Sequence, residues 1–135
     1  MDRKPTNAEL QILRVLWSRG RSTVREVLHA LQQDRDISYN NVLKLMQIMT
    51  EKHLLECDKT VRPQVYVAAH SQGSTQRQLV NDLVNRAFGG SPGNLILQAL
   101  SSRKSSAEER QRIREFLDQL EKAEIKDDNE PGGAS

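Results

Sequence analysis

Apolar positions in the first third of the chain recur at helical spacing, and each run is introduced by a capping signal. Leu10, Leu13, Leu16 and Trp17 form one stripe. It follows Thr6-Asn7-Ala8-Glu9, a hydroxyl residue with an acid three positions on, which is the pattern of a capping box. Gly20 is placed to stop that helix. Val24, Val27, Leu28 and Leu31 fall at i, i+3, i+4 and i+7 inside a second box, Thr23-Val24-Arg25-Glu26. A third helix is predicted from an N-cap at Ser38 to about His53. Its Val42, Leu45, Met46 and Met49 share one side, and Asn40, Asn41, Lys44 and Gln47 share the other.

The period then changes to two. Leu55 and Cys57 alternate with Glu56 and Asp58, and Val65 and Val67 alternate with Tyr66, on either side of Lys59-Thr60-Val61-Arg62-Pro63. That is a β-hairpin with a basic turn. Cys57 reads as a small inward-facing residue of this hairpin, since free cysteine is usually buried. Three helices followed by such a ribbon make a winged helix-turn-helix, expected over residues 1–70.

Beyond Ser71 the pattern is helical only. Leu79, Val80, Leu83, Val84, Ala87 and Phe88 form a wide stripe, which Gly89-Gly90-Ser91-Pro92-Gly93 interrupts. The apolar segment Leu95-Ile96-Leu97-Gln98-Ala99-Leu100 follows. A third capping box, Ser106-Ala107-Glu108-Glu109, launches a last helix with Ile113, Phe116, Leu117 and Leu120 on one face. Three short helices with faces this broad do not easily close a core alone. Residues 71–125 are therefore expected to dimerise, through Leu79, Leu83, Val84, Phe88, Leu95, Ile96, Leu100, Ile113, Phe116, Leu117 and Leu120. The competing expectation is a monomer whose helices fold back on the first domain. Residues 126–135 are polar and contain Gly and Pro, and disorder is predicted there. The fold class is mainly α with a small β-hairpin wing.

A chain of 135 residues has room for one or two small domains. It has 36% hydrophobic and 28% charged residues, an ordinary globular composition, and aromatics at 4% leave the cores mostly aliphatic. It has no apolar run long enough to span a membrane, no signal-peptide pattern at the N-terminus and one cysteine, features that favour the cytoplasm. Net charge is only +2. Residues 1–70 hold 11 Lys/Arg against 8 Asp/Glu, a net +3, and residues 71–135 hold 9 against 10, a net −1. The first half is the better candidate for a polyanion.

Side-chain chemistry points the same way. Asn, Gln and Lys can read base edges in a DNA major groove. Tyr39, Asn40, Asn41, Lys44 and Gln47 are the candidate recognition face. Thr23 and Ser38 stand at helix N-termini, where backbone N–H groups can hold phosphates. Lys59, Arg62 and Gln64 on the wing are placed for the flanking backbone or the minor groove. The alternative is a winged-helix module whose polar face binds a protein, because fold does not fix function. No phosphate-binding loop, dinucleotide fingerprint, HExxH or nucleophile elbow occurs, and His29, His53 and His70 lie on separate elements. No enzyme activity, cofactor or metal is expected.

In this order the segments resemble the penicillinase repressor family. The resemblance is carried by Thr6-Asn7-Ala8-Glu9-Leu10, Val15-Leu16-Trp17, Val24-Arg25-Glu26-Val27, Tyr39 to Leu45 with Glu51-Lys52, and Val65-Tyr66. Val84, Phe88-Gly89-Gly90 and Leu95-Ile96-Leu97 extend it into the second half, so that it covers about residues 6–121. It implies a homodimeric transcriptional repressor whose winged helices bind double-stranded DNA at a palindromic operator and whose C-terminal helices interlock. It also implies a further partner, a membrane sensor metalloprotease that cleaves the dimerisation domain and frees the operator. Two positions depart from the family. Cleaved members resemble one another in an Asn-Phe pair where this chain has Gln98-Ala99. The copper-responsive branch has a Cys-rich C-terminal motif, which a chain with Cys57 alone lacks.

Overall fold

Helix starts form where the cap residues allow. In the computed structural model, which describes residues 4–128, Thr6 Oγ1 accepts the Glu9 N–H at 3.2 Å while Glu9 Oε1 accepts the Thr6 N–H at 2.9 Å. This box opens α1 (Asn7–Arg19). Thr23 and Glu26 make the same reciprocal pair at 3.2 and 2.9 Å and open α2 (Val24–Leu31). Ser38 Oγ accepts the Asn41 N–H at 3.2 Å at the start of α3 (Tyr39–Glu51). Each such cap contributes about 1 kcal/mol by satisfying donors that the helix leaves unpaired.

The three helices close on an aliphatic core. Ile12, Leu13, Leu16, Val27, Leu28, Leu31, Val42, Met46 and Met49 are buried in it. The stripe predicted for α1 is corrected in one respect: Ile12 is fully buried, whereas Leu10 and Trp17 are half-buried at the edge. The Trp17 indole N–H instead donates to the His70 carbonyl at 3.0 Å and ties α1 to the chain leaving the wing.

α3 ends in a left-handed residue. His53 has φ 65°, its N–H reaches the Thr50 carbonyl at 3.1 Å, and the Leu54 N–H reaches the Met49 carbonyl at 2.9 Å. These two bonds define a Schellman motif, with Leu54 buried behind it.

The wing pairs β1 (Leu55–Asp58) with β2 (Val65–Ala68), antiparallel, in the register Leu55↔Ala68 and Cys57↔Tyr66. Tyr66, 4% exposed, is the inward residue of β2, and Val65 and Val67 are half-buried on the other face. Burial first, and then the Cys57 thiol across the ladder, push its phenol up to about 12, so it stays neutral. Cys57 is half-buried and packs against the core edge. Ser22, fully buried, adds a one-residue third strand: its N–H donates to the Tyr66 carbonyl at 3.1 Å, and its carbonyl accepts the Tyr66 N–H at 2.8 Å. Asp58 shapes the turn by accepting the Thr60 N–H at 2.9 Å, and it pairs with Arg21 at 2.9 Å.

α4 (Gln72–Ala87), α5 (Pro92–Ser102) and α6 (Ala107–Asp128) follow. Gly89 and Gly90, at φ 57° and 85°, end α4. Ser91 caps α5, with Pro92 at its first position. Ser106 and Glu109 make the third reciprocal box, at 3.0 and 3.2 Å. The described chain is thus mainly helical, a winged helix-turn-helix followed by a helical C-terminal part. It divides into two compact units, Met1–Leu83 and Val84–Ser135, and the division falls inside α4 rather than at Ser71. α6 runs to Asp128, so the helix takes in the first residues of the segment where disorder is predicted from 126; residues 129–135 lie outside the described residues.

Candidate nucleic-acid interface

α3 is divided lengthwise by burial. Val42, Met46 and Met49 are 0% exposed, and Leu45 is half-buried. Asn40, Asn41, Lys44 and Gln47 are all exposed on the face that remains. Every donor and acceptor on those four side chains is open to a partner. Tyr39, at 36% exposure, differs from them: the Arg25 guanidinium lies over its ring, 5.0 Å from the centroid.

At the two helix N-termini expected to hold phosphates through backbone N–H groups, the Thr23 and Ser38 hydroxyls already accept the Glu26 and Asn41 N–H groups as helix caps. Each keeps its own O–H as a donor. On the wing, Lys59 and Arg62 are exposed, while Gln64 is half-buried and accepts from the Cys57 thiol at 3.6 Å. A groove of about 450 Å³ lies between the starts of α2 and α3 and the wing. Thr23, Arg25, Tyr39, Arg62 and Gln64 line it above Val24, Leu43 and Tyr66. It contains two arginines and no carboxylate.

Ion pairing sorts the cations of the first unit. Lys4, Arg19, Arg21 and Lys52 are held by Asp82, Glu26, Asp58 and Glu9 at 2.7 to 3.1 Å. Lys52, which follows α3, is therefore a tie to α1 and not a free cation. Among the described residues of this unit Arg14, Arg25, Arg35, Lys44, Lys59, Arg62 and Arg77 make no ion pair, and of these Arg25, Lys44, Lys59 and Arg62 lie on α3, the wing or the groove joining them. The sequence reading missed Arg25. It stands in the second capping box, but nothing in the spacing of residues 25 and 39 says that they meet.

The residues expected at a dimer interface differ in exposure in the single chain. Leu83, Ile96, Leu100, Phe116, Leu117 and Leu120 are 39 to 60% exposed, and Leu79, Phe88, Leu95 and Ile113 are half-buried. Val84, at 8% exposure, is already buried within one chain. Val80, Leu97 and Ile125, which were not among the expected interface residues, are 44, 65 and 60% exposed. Among the described residues no three His, Cys, Asp or Glu side chains come together as a metal site, and no helix is long and apolar enough to cross a membrane.

A polar helix face beside a basic wing places the chain in the winged-helix class. The family model for the penicillinase repressor matches residues 5–119. The chain belongs to the penicillinase repressor family, a family of DNA-binding transcriptional repressors. No curated protein matches it by sequence.

Proposed function

We propose that the protein acts as a homodimer which represses transcription by holding a palindromic operator, with α3 of each protomer in the major groove. The observation that carries this reading is the lengthwise division of α3: Val42, Met46 and Met49 on its apolar side are fully buried, and Asn40, Asn41, Lys44 and Gln47 are all exposed on the other. Such a helix presents amide and ammonium groups at base-edge height, while Lys59 and Arg62 supply sequence-independent attraction. The exposed leucines and phenylalanine of the C-terminal helices are apolar surface that a second copy would cover.

Two joined winged helices hold an operator far more tightly than one, because the second engagement is intramolecular. Any signal that parts the protomers therefore releases the DNA. A sensor metalloprotease that cuts the C-terminal part is one such signal. Gln98 and Ala99 lie inside α5, so a protease reaches the bond between them only after that helix unwinds.

Mobility shifts at increasing salt test the reading. DNA binding predicts a steep fall of log affinity with log salt through counterion release. A flat salt response with no complex on DNA would favour the protein-interaction module instead.

A further inference from the structure

The groove between α2, α3 and the wing contains a side-chain arrangement that base readout does not explain. Arg25 makes no ion pair or hydrogen bond with protein among the described residues, yet it is not left free to sweep through solvent. Its guanidinium rests on the Tyr39 ring, 5.0 Å from the centroid. Stacking uses the flat face of a guanidinium and leaves its N–H edges available. Arg62 lines the same groove from the wing, and no carboxylate lines it. Tyr66, Leu43 and Val24 make its floor apolar, which strengthens a charge-assisted contact made above them.

Resting on the DNA-binding reading, we propose that Arg25 and Arg62 hold the phosphodiester backbone of the strand that passes between α3 and the wing, and that Tyr39 is a positioning residue for Arg25. Tyr39 then leaves the set of base readers. Its ring fixes the guanidinium before DNA arrives, so less side-chain freedom is lost on binding. The ligand class is a phosphodiester of any sequence, bound by charge-assisted hydrogen bonds.

The probes are a labelled duplex enriched by the wild-type full chain from a random pool, and a scrambled duplex of the same length. Arg25→Ala is expected to weaken both about equally, roughly tenfold per half-site for one lost charge-assisted contact. The slope of log affinity against log salt is expected to shrink by about 0.9 for each protomer engaged. Tyr39→Phe keeps the ring and is expected to bind as wild type. Tyr39→Ala is expected to reproduce the loss seen in Arg25→Ala, and the double variant to be no worse than Arg25→Ala alone. Thermal melts confirm that each variant is folded.

An unchanged salt slope in Arg25→Ala overturns the proposal, as does a loss confined to the enriched duplex. Additive losses in the double variant overturn the positioning role of Tyr39. If Asn41→Ala and Lys44→Ala lose specific binding while Arg25→Ala does not, this inference alone falls. If the wild type enriches no duplex, the DNA-binding reading falls with it.

Discussion

Glu9 and Lys52 join the start of α1 to the end of α3 through a salt bridge of 2.8 Å, with the Glu9 side chain 2% exposed. Glu9 serves two structures at once. Its Oε1 accepts the Thr6 N–H in the capping box, and both carboxylate oxygens accept from the Lys52 ammonium, at 3.0 and 2.8 Å. The pair fixes where α3 ends relative to the rest of the bundle.

Lys52→Ala should therefore destabilise the protein by about 2–3 kcal/mol, because it leaves a buried carboxylate without its cation. Urea unfolding measures this. The same variant should leave the salt slope of DNA binding unchanged, since Lys52 is already neutralised. A reduced slope would assign Lys52 to phosphate contact.

Acid should weaken the same tie. Burial alone would raise the Glu9 pKa, but hydrogen bonds from Lys52 and Thr6 and the Lys52 charge together hold it below its ordinary value of 4.5. The folded state thus favours the ionised form. The stability that results is fully present above about pH 4.5 and is lost as pH falls through the lower folded value. Glu9→Gln should flatten the stability–pH curve in that acid window, as read by thermal melts at a series of pH values.

His53 carries a local cost. A side chain at φ 65° is strained where glycine is not. His53→Gly should stabilise the protein by about 0.5–1 kcal/mol, less than the full relief because glycine also loosens the unfolded chain. A lower urea midpoint in His53→Gly would show that the imidazole makes a compensating contact.

How much of this could be read from the sequence depends on the range of each interaction. The boxes at Thr6, Thr23 and Ser106, the cap at Ser38 and the stops at Gly20 and Gly89-Gly90 are local, and their residues announce them. The exposed face of α3 follows from periodicity in the same way. The Glu9–Lys52 pair, the Ser22 bridge to Tyr66 and the Arg25–Tyr39 stack join residues far apart in the chain. No spacing rule encodes them. Tyr66 shows the limit of period two: alternation says that neighbours face opposite ways, not which of them faces in, and its pairing with Cys57 decides that. α6 outlasts its apolar face because a charged helix continues as long as nothing breaks it.

Base readout should be separable from backbone attraction. Asn41→Ala and Lys44→Ala should each lower affinity for a specific duplex by about 1–3 kcal/mol and barely affect a scrambled one. Arg62→Ala should weaken both alike. Equal losses on the two duplexes for Asn41→Ala would move it to the backbone-contact group.

The C-terminal helices should be where two copies meet. Leu83→Asp or Phe116→Asp would bury an uncompensated charge in that contact, at a cost of about 3 kcal/mol or more, and should yield monomers in analytical ultracentrifugation. A wild type that is monomeric at micromolar concentration would refute the dimer. A chain ending at Gln98 should keep its winged helix and lose most operator affinity. Affinity equal to that of the full chain would refute release by parting the protomers.

The central claim, a two-fold repressor that reads DNA through paired α3 helices, is tested most directly by sequencing the duplexes that the full-length wild type enriches from a random pool. The account predicts an inverted repeat whose half-sites are centred about 10–10.5 base pairs apart or a multiple of that, one or more helical turns. Enrichment of a single asymmetric site, or of no sequence at all, would contradict it.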